Sequence, residues 1–414
     1  MVRREDIKNV GFISTRIAGT DGVSLEIEKW ATILKINNYK CFYFAGEIDR
    51  DPDKSFLVEE SHFVHPLIKR INDYLFTERK RKPEISSFIN NIKEDLKSKL
   101  YEFYRKFDID LIIPENALSI PMNIPLGLAI TEFIAETNIP TIAHHHDFYW
   151  ERKRFFINNC QDYLRTAFPP DLPSMRHVVI NSLAARQLSY RLGISNTIIP
   201  NVYDFSIEPT SPSIPVENIR KDIGLEENEL LILQPTRVVP RKMIERSIEI
   251  TRELHKFNPV LVITHSPEDE GNTYKEHIVE YAEKMDVEIR WIDHLIGSNN
   301  SRKYTLSDIY QSADLVTYPS SIEGFGNAFL EAIYYKKPIV VNRYSVYVMD
   351  IEPRGFNVIS FDDFVTIDVI RKIEKVLTDI DYQRKMVEHN YNIAERFFSY
   401  DILERKLLPL FYTF

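Results

Sequence analysis

The sequence is poor in cysteine and has no long apolar segment. Its 414 residues include two cysteines, Cys41 and Cys160. No run approaches the roughly 18 to 20 apolar residues of a membrane-spanning helix. The N-terminal stretch "MVRREDIKNVGFIS" also lacks the apolar core of a secretory signal. These absences argue against a disulfide-stabilised secreted domain, and they predict a cytoplasmic protein with no membrane span.

The chain also lacks an excess of positive charge. It has 52 Lys and Arg against 61 Asp and Glu, a net charge of −9. Because nucleic acids and anionic membranes are held mainly by clustered Lys and Arg, this balance argues against general binding to either, although local basic patches remain open. The content of 44% hydrophobic and 27% charged residues is that of an ordinary globular protein, at a length that exceeds one core. Two domains are therefore predicted, in a monomer or a homodimer.

Apolar strands alternate with amphipathic helices along the chain. The order begins with the strand "NVGFIST", the helix "DGVSLEIEKWATILKINNYK" and the strand "CFYFAGE", which is how a parallel, helix-covered sheet begins. The Pro- and Ser-rich segment 206–216 interrupts this alternation as a linker, and a second alternation follows from "ELLILQPT". The predicted fold class is α/β, with doubly wound domains at 1–205 and 206–389. Ligands of such sheets bind beyond the carboxyl ends of the strands, so the loops after strands are the candidate sites.

One such loop carries two carboxylates around a glycine turn. In "YPSSIEGFGNAFLEA", Gly324 and Gly326 permit a tight turn before a helix that starts near Asn327. Amides at a helix start attract hydroxyls or an anion, and Glu331, one turn into the helix, can face the same cleft as Glu323. Two carboxylates there would bracket a ligand with many hydroxyls, such as a sugar or a ribose. Taken alone, a glycine turn with one capping and one solvated glutamate explains the pattern as well.

A second loop of the same domain carries two cations. In "LQPTRVVPRKMIERSIEI", Arg237 ends a strand and Lys242 follows five positions later, before a helix. The arginine fork and the lysine point charge suit a diphosphate. By itself such a pair is more often surface charge.

Together, "TRVVPRK" and "PSSIEGFGNAFLEA" resemble the donor site of retaining glycosyltransferases of family 4. That family has the GT-B fold, in which two Rossmann-like domains face a cleft. The N-terminal "GFISTRIAGTDGVSLEIEKWA" resembles the family's first glycine loop and helix, so the resemblance covers nearly the whole chain. It further implies that the C-terminal helix, about 390–414, packs back on the first domain.

The resemblance implies roles for individual residues. Arg237 and Lys242 would hold the donor diphosphate, Glu331 the ribose, and Glu323 the transferred sugar. The implied catalytic residues are Arg237, Lys242, Glu323 and His146. The implied donor-binding residues are Gly22, Gly324, Phe325, Gly326, Asn327 and Glu331. The sequence departs from the family at Met243, where glycine is usual, and at Asp21, where many relatives have an adjacent glycine pair.

A histidine cluster occurs in "IPTIAHHHDFYWERKRF". Three consecutive histidines and Asp147 include zinc-ligand types, but neighbours in a strand point to opposite faces, which disfavours all three on one metal. The family places a cleft histidine at the end of this strand, matched by His146. Aromatic side chains stack on sugars and arginines bind anions, which favours an acceptor site here, with a solvated basic turn as the alternative. By the resemblance the N-terminal domain binds the acceptor, and the implied acceptor-binding residues are Asp21, Ser24, Glu115, Asn116, His145, Asp147, Tyr149 and Arg152.

No metal and no cofactor beyond the co-substrate is expected to be essential. Metal-dependent glycosyltransferases of the other major fold use an Asp-x-Asp pair, and the chain has three, at 51–53, 108–110 and 379–381. The second precedes its strand and the others lie in charged connections, so none has the required context. The chain also has no Gly-Lys-Ser/Thr phosphate loop and no Gly-x-Gly-x-x-Gly after its first strand.

The predicted function is transfer of a hexosyl unit, with retention, from a nucleoside diphosphate sugar to a small acceptor. The stretches "AGTDGVSLE" and "HHHDFYWER" are similar to synthases of the mannosylglucosylglycerate type, which implies GDP-mannose as donor and glucosylglycerate or its phosphate as acceptor. UDP-glucose, and a lipid or polysaccharide precursor, remain open. A GT-B-like nucleotide-sugar epimerase, a phosphorylase and a non-catalytic nucleotide-sugar-binding protein are the alternative functions.

Overall fold

The chain forms two compact units. The computed structural model describes residues 7–19, 21–209, 214–266, 272–297 and 303–414. The first unit comprises Met1–Asn201 with Tyr400–Phe414, and the second comprises Val202–Ser399. Each unit is a parallel sheet covered by helices, which is the predicted α/β class.

The first unit has a seven-stranded parallel sheet in the order β3-β2-β1-β4-β5-β6-β7. Its strands are β1 (Asn9–Ile13), β2 (Lys40–Ala45), β3 (Ser55–Leu57), β4 (Leu111–Pro114), β5 (Thr141–His145), β6 (Met175–Val179) and β7 (Asn196–Ile198). Its helices are α1 (Gly22–Ile36), α2 (Pro66–Thr77), α3 (Pro83–Phe107), α4 (Ile124–Thr137), α5 (Gln161–Ala167), α6 (Ser182–Leu192) and, near the C-terminus, α14 (Tyr400–Leu407). The long helix α3 buries Leu96, Leu100 and Phe103, which share one face because they are spaced by three and four residues.

The second unit has a six-stranded parallel sheet in the order β10-β9-β8-β11-β12-β13. Its strands are β8 (Leu230–Gln234), β9 (Pro259–Ile263), β10 (Ile289–Trp291), β11 (Leu315–Tyr318), β12 (Ile339–Asn342) and β13 (Ile359–Phe361). Its helices are α7 (Val216–Asp222), α8 (Ile244–Glu253), α9 (Thr273–Met285), α10 (Leu306–Ser312), α11 (Asn327–Tyr334), α12 (Ile367–Thr378) and α13 (Ile380–Phe398). Apolar side chains from the strands and from α8 form its core, with Ile232, Leu261 and Ile248 fully buried.

Each sheet has one point at which the strand order reverses. In the first sheet the reversal falls between β1 and β4, and in the second it falls between β8 and β11. Loops leaving the carboxyl ends of two such strands run to opposite faces of the sheet and open a crevice, which is where doubly wound sheets bind ligands. The loops after these four strands carry most of the candidate site residues, and the loop after β5 carries the histidine cluster.

The domain boundaries differ from those predicted. The predicted first domain included residues 202–205 and a returning segment of about 390–414, but residues 202–205 and 390–399 belong to the second unit. The reason is that α13 is one continuous helix to Phe398, whose carbonyl accepts a hydrogen bond from the Tyr203 amide at 2.8 Å. Only Tyr400–Phe414 returns to the first unit, where Phe411 packs on Tyr39 at 4.9 Å between ring centroids. Within the predicted linker, residues 210–213 lie outside the described part of the chain.

Among the described residues, no helix has the length and apolar character needed to cross a membrane. Both cysteines are buried thiols, and burial raises the pKa of each to about 12. The strand β3 is an edge strand of three residues, which is too short to leave a periodic signal in the sequence.

Candidate functional site

Two loops of the second unit are joined by charged side chains. The β8 loop (residues 235–243) follows β8, and the β11 loop (residues 319–326) follows β11. The Ser321 amide donates to the Arg241 carbonyl at 2.9 Å. Arg241 Nη1 lies 3.1 Å from Glu323 Oε2, and Lys242 Nζ donates to Glu323 Oε1. Glu323 therefore bridges two consecutive cations of the neighbouring loop.

This bridge is largely withdrawn from solvent. The Lys242 and Glu323 side chains are 9% and 10% exposed, and Lys242 Nζ lies 5.4 Å above the Tyr318 ring. Burial opposes ionisation of Glu323, but Lys242 and Arg241 hold the pKa of its carboxyl below the ordinary value. Burial also lowers the pKa of Lys242, although Glu323 counteracts that effect. The two charges stabilise each other in a low-dielectric setting.

His265 lies in the positive electrostatic field of Lys242 and Arg237. Burial, followed by the charges of Lys242 and Arg237, lowers the pKa of His265 to about 4. Its ring Nδ1 is 2.7 Å from the hydroxyl of Thr264, just after β9. His265 is therefore a neutral imidazole beside two cations at neutral pH.

Met243 takes the backbone conformation of the glycine that the family usually has at this position. Its φ is +49° and its ψ is 45°, in the left-handed region, between the 3-10 turn Pro240–Lys242 and α8. A non-glycine residue there costs roughly 1 to 2 kcal/mol. The departure from the family thus preserves the turn that presents Lys242, at a cost in stability.

The glycine turn before α11 has a strict steric requirement. Gly326 has a φ of +126°, and a Cβ built there would lie 2.4 Å from the Tyr344 hydroxyl oxygen. That hydroxyl donates to the Phe325 carbonyl at 2.7 Å. Phe325 itself is 2% exposed and packs on Phe398, so its predicted contribution to donor binding is limited to its backbone. Gly324 and Asn327 flank this turn, as predicted from the sequence.

Glu331 lies on α11, where Tyr310 holds its carboxylate. The buried Tyr310 hydroxyl donates to Glu331 Oε2 at 2.8 Å. Because Tyr310 comes from α10, this contact fixes Glu331 from the neighbouring helix. The carboxylate is therefore held in one orientation.

A different charged cluster lies at the strand ends of the first unit. Glu115 directly follows β4, and His144 and His146 lie at the end of β5. Glu115 Oε1 is 2.7 Å from His144 Nδ1 and 2.5 Å from His146 Nε2. Glu115 is fully buried, His144 is 1% exposed and the His146 side chain is 12% exposed. Burial alone would raise the pKa of Glu115, but the two histidines lower it to about 2.

His145 lies on the opposite face of the strand, and both of its ring nitrogens have hydrogen-bond partners. Its Nδ1 is 2.6 Å from the Ser119 hydroxyl, and its Nε2 is 3.0 Å from His177 Nδ1. Burial drives the pKa of His145 well below its usual range. This placement argues against the acceptor role predicted for His145, because a fully buried ring with both nitrogens bonded presents no edge to a ligand.

Most of the remaining residues of this region form hydrogen bonds or ion pairs with one another. Asn116 accepts from the His146 amide at 3.1 Å and donates to Asp147 Oδ1 at 3.2 Å, so it positions both residues. Arg152 pairs with Asp147, and its side chain is 45% exposed. Tyr149 packs against the hydrophobic core of the unit. Of these, Arg152 is the side chain best placed to meet an anion from solvent.

The loop after β1 ends in a capped helix. Asp21 accepts from the amides of Val23 and Ser24 at 3.0 and 3.2 Å, and Arg16 lies 3.1 Å from its other oxygen. Ser24 is fully buried, and its hydroxyl bonds to Asp21 and to the Ala18 carbonyl, so its predicted contact with an acceptor is not supported. The carboxylate of Asp21 occupies the amides next to Gly22 that a phosphate would use, which argues against Gly22 as a phosphate-binding position.

The Asp-x-Asp pairs have structural roles. Asp51 and Asp379 accept amide hydrogen bonds at helix starts, and Asp110 accepts from the amides of Lys8 and Asn9 at 2.8 Å each. One carboxylate of each pair is therefore occupied by backbone donors.

Sequence reasoning missed three residues of these clusters. Arg241 was not predicted, because the sequence pattern pointed to Arg237 and Lys242 alone. The pairing of Glu115 with His144 was missed although β-strand alternation places residues i and i+2 on one face. His265 gave no usable signal, because a single histidine after a strand is common.

The two parallel-sheet Rossmann-like units and the charged loops after β8 and β11 define a glycosyltransferase of the GT-B fold. A family profile described as "Glycosyl transferases group 1" matches residues 215–393, within the second unit. The chain belongs to this glycosyltransferase family, which confirms the family prediction.

Named relatives extend over nearly the whole chain. The chain is 34% identical to a mannosylglucosylglycerate synthase of Thermotoga maritima, over 94% of this chain and 97% of that protein. It is also 34% identical to a mannosylglucosylglycerate synthase of Petrotoga mobilis, over 85% and 86%. A glycosyltransferase structure from Rickettsia africae superposes with a TM-score of 0.69 at 14% identity, covering 98% of each chain, and shows the shared fold.

We predict that Met243→Gly stabilises the protein. Glycine removes the left-handed strain but adds entropy to the unfolded chain, so the free energy of unfolding should rise by up to about 1 kcal/mol. Met243→Ala is the matched control, because alanine keeps the strain and loses the side-chain contacts. Urea unfolding followed by circular dichroism measures both variants, and a Gly variant less stable than the Ala variant would show that the turn is not strained.

Proposed function

We propose that this glycosyltransferase moves a mannosyl unit from GDP-mannose to a hydroxyl of glucosylglycerate, with retention of anomeric configuration and without a metal at the diphosphate. The observation that carries the proposal is the buried bridge of Glu323 with Lys242 and Arg241 in a chain 34% identical to mannosylglucosylglycerate synthases. Their name supplies the sugar and the acceptor. The sequence similarity of two N-terminal stretches to synthases of that type supplies GDP as the nucleotide, and the resemblance to family 4 supplies retention as the outcome.

The second unit holds the groups for the donor. Lys242 has three N–H donors, of which Glu323 takes one, so the same ammonium can also reach a phosphate oxygen. Arg237 adds a fork that chelates two oxygens. The neutral His265 adds no charge of its own beside them. These groups suit the diphosphate, while Glu331, oriented by Tyr310, suits the ribose hydroxyls.

Glu323 is the residue that we assign to positioning the sugar. Both of its oxygens already accept hydrogen bonds from cations, which holds the carboxylate ionised and fixed. Tyr318 and Ser320 also interact with this carboxylate, so a sugar hydroxyl would share its remaining lone pairs with them. A carboxylate paired in this way is a poor nucleophile, so its position favours hydrogen bonding to the sugar over a covalent intermediate.

The chemistry is a substitution on one face of the sugar. The bond from the anomeric carbon to the β-phosphate oxygen breaks, and the acceptor oxygen bonds to that carbon on the same face. The acceptor proton passes to the leaving phosphate oxygen, so GDP departs. Arg237 and Lys242 stabilise the negative charge that develops on this phosphate, each by roughly 3 to 4 kcal/mol if they resemble oxyanion donors.

The first unit supplies candidates for an acidic acceptor. Arg16 beside Asp21 and Arg152 beside Asp147 have side chains 34% and 45% exposed. Guanidinium groups bind carboxylates in a bidentate manner, and glycerate carries one. The cations favour an acidic acceptor over a neutral sugar.

A product assay tests the proposal. The purified chain with GDP-mannose and glucosylglycerate is expected to release GDP and form a product whose mannosyl carbon is α by nuclear magnetic resonance, as in the donor. UDP-glucose and glucosyl-3-phosphoglycerate are the competing donor and acceptor to include. A β-linked product would contradict retention, nucleotide release without acceptor would indicate an epimerase, and a requirement for inorganic phosphate would indicate a phosphorylase.

Arg237→Ala and Glu323→Gln are each predicted to lower the turnover number by at least about 100-fold, because each removes a group that acts on the reacting sugar phosphate. Arg384→Ala and Asp381→Ala are matched controls, since they break an exposed ion pair of the same unit. Near-normal turnover in both site variants would contradict the assignment.

GDP binding is predicted to be independent of metal. Because the cations of the β8 loop replace a divalent ion at the diphosphate, calorimetric titration of GDP should give the same dissociation constant with and without EDTA. A loss of affinity of tenfold or more in EDTA would place a metal at the diphosphate and overturn that part of the proposal.

A further inference from the structure

We propose that Glu115, His144 and His146 bind one divalent transition-metal ion in the first unit. One ligand atom from each of the three residues lies within 4.8 Å of the other two. All three are ordinary metal-ligand types, and they come from two adjacent strand ends.

The backbone explains why these three side chains meet. β4 and β5 are adjacent and parallel, and Glu115 forms a bridge with His144 immediately beyond their ladder. His144 and His146 are two residues apart in an extended segment, so they share a face, while His145 lies on the other. Side-chain alternation therefore prevents three consecutive histidines from binding one metal, but it places His144 and His146 on the same face. Glu115 reaches this face from the end of the neighbouring strand.

Several polar atoms of the cluster lack partners within the described chain. Glu115 Oε2 and both ring nitrogens of His144 are buried there without an aligned hydrogen bond, although His144 Nδ1 lies 2.7 Å from Glu115 Oε1. Glu115 is 0% and His144 is 1% exposed. Buried polar atoms without partners are costly, and coordination of an ion would satisfy the carboxylate oxygen and one ring nitrogen together.

The ligand set indicates which kind of ion fits. Two imidazoles and one carboxylate suit zinc and its transition-metal neighbours, whereas magnesium and calcium prefer oxygen ligands alone. Ligand atoms on one tetrahedral zinc ion are about 3.4 Å apart, so the Glu115 carboxylate must turn by roughly 1 Å to admit the ion. Three protein ligands leave one position for water, and His146 is the ligand with an exposed edge.

Metal uptake can be measured apart from glycosyl transfer. The full chain is stripped with a chelator and titrated with Co²⁺, without donor or acceptor. We expect one equivalent to bind and to produce the intense d–d absorption of a four- or five-coordinate ion. In the Cu²⁺-loaded wild-type chain, electron paramagnetic resonance should show coupling to two imidazole nitrogens. Absence of the absorption and of the nitrogen coupling would overturn the proposal, whatever the result of the product assay.

Two variants locate the ion. Glu115→Gln and His146→Gln should each weaken Co²⁺ binding by at least about 100-fold, more than the loss of an outer-shell partner. His62→Gln is the matched control, because it removes a partly buried histidine of the same unit, whose side chain is 12% exposed and lies 3.2 Å from Glu47, and it should leave binding unchanged. Unaltered binding in both cluster variants would place the ion elsewhere and refute the assignment, and circular dichroism verifies that each variant is folded.

Discussion

The bridge that Glu323 forms with Lys242 and Arg241 organises the candidate donor site. It joins the loops that leave β8 and β11, the two strands at the reversal of the second sheet. Removing one partner of such a buried pair leaves an unpaired charge and typically costs roughly 3 to 5 kcal/mol. The positions of Lys242 and Glu323 are therefore interdependent, and the groups proposed to bind the phosphate and the sugar are held as one assembly.

Other residues of the second unit position the side chains of this assembly. The left-handed turn at Met243 presents Lys242 at the start of α8, and Gly326 lets the chain pass under the Tyr344 hydroxyl into α11. Tyr310 then fixes Glu331. In the first unit the carboxyl ends of β4 and β5 bring two histidines to one carboxylate, one strand away from the reversal between β1 and β4. In both units charged side chains therefore lie at the carboxyl ends of strands at or next to the reversal, the edge at which doubly wound sheets bind ligands.

The sequence predicted the fold class for clear physical reasons, and it directed attention to four residues of the candidate donor site. Alternating strands and helices imply parallel sheets, and Arg237, Lys242, Glu323 and Glu331 all follow strands or begin helices. Side-chain orientation was harder to predict. Whether Ser24 or His145 faces a ligand or the core depends on packing that periodicity does not resolve, and Arg241 became visible only once two loops distant in sequence were in contact. The boundary near residue 390 was misplaced because α13 has no break there that would mark a change of domain.

The central claim is that Lys242 and Glu323 act as one unit in donor turnover, and a double-mutant cycle tests it most directly. Lys242→Met, Glu323→Gln and the double variant are compared with the wild type by kcat/KM for GDP-mannose, after circular dichroism has verified folding. The account predicts that the double variant is little worse than either single variant, with a coupling energy of about 1 to 3 kcal/mol. Losses that simply add would contradict it.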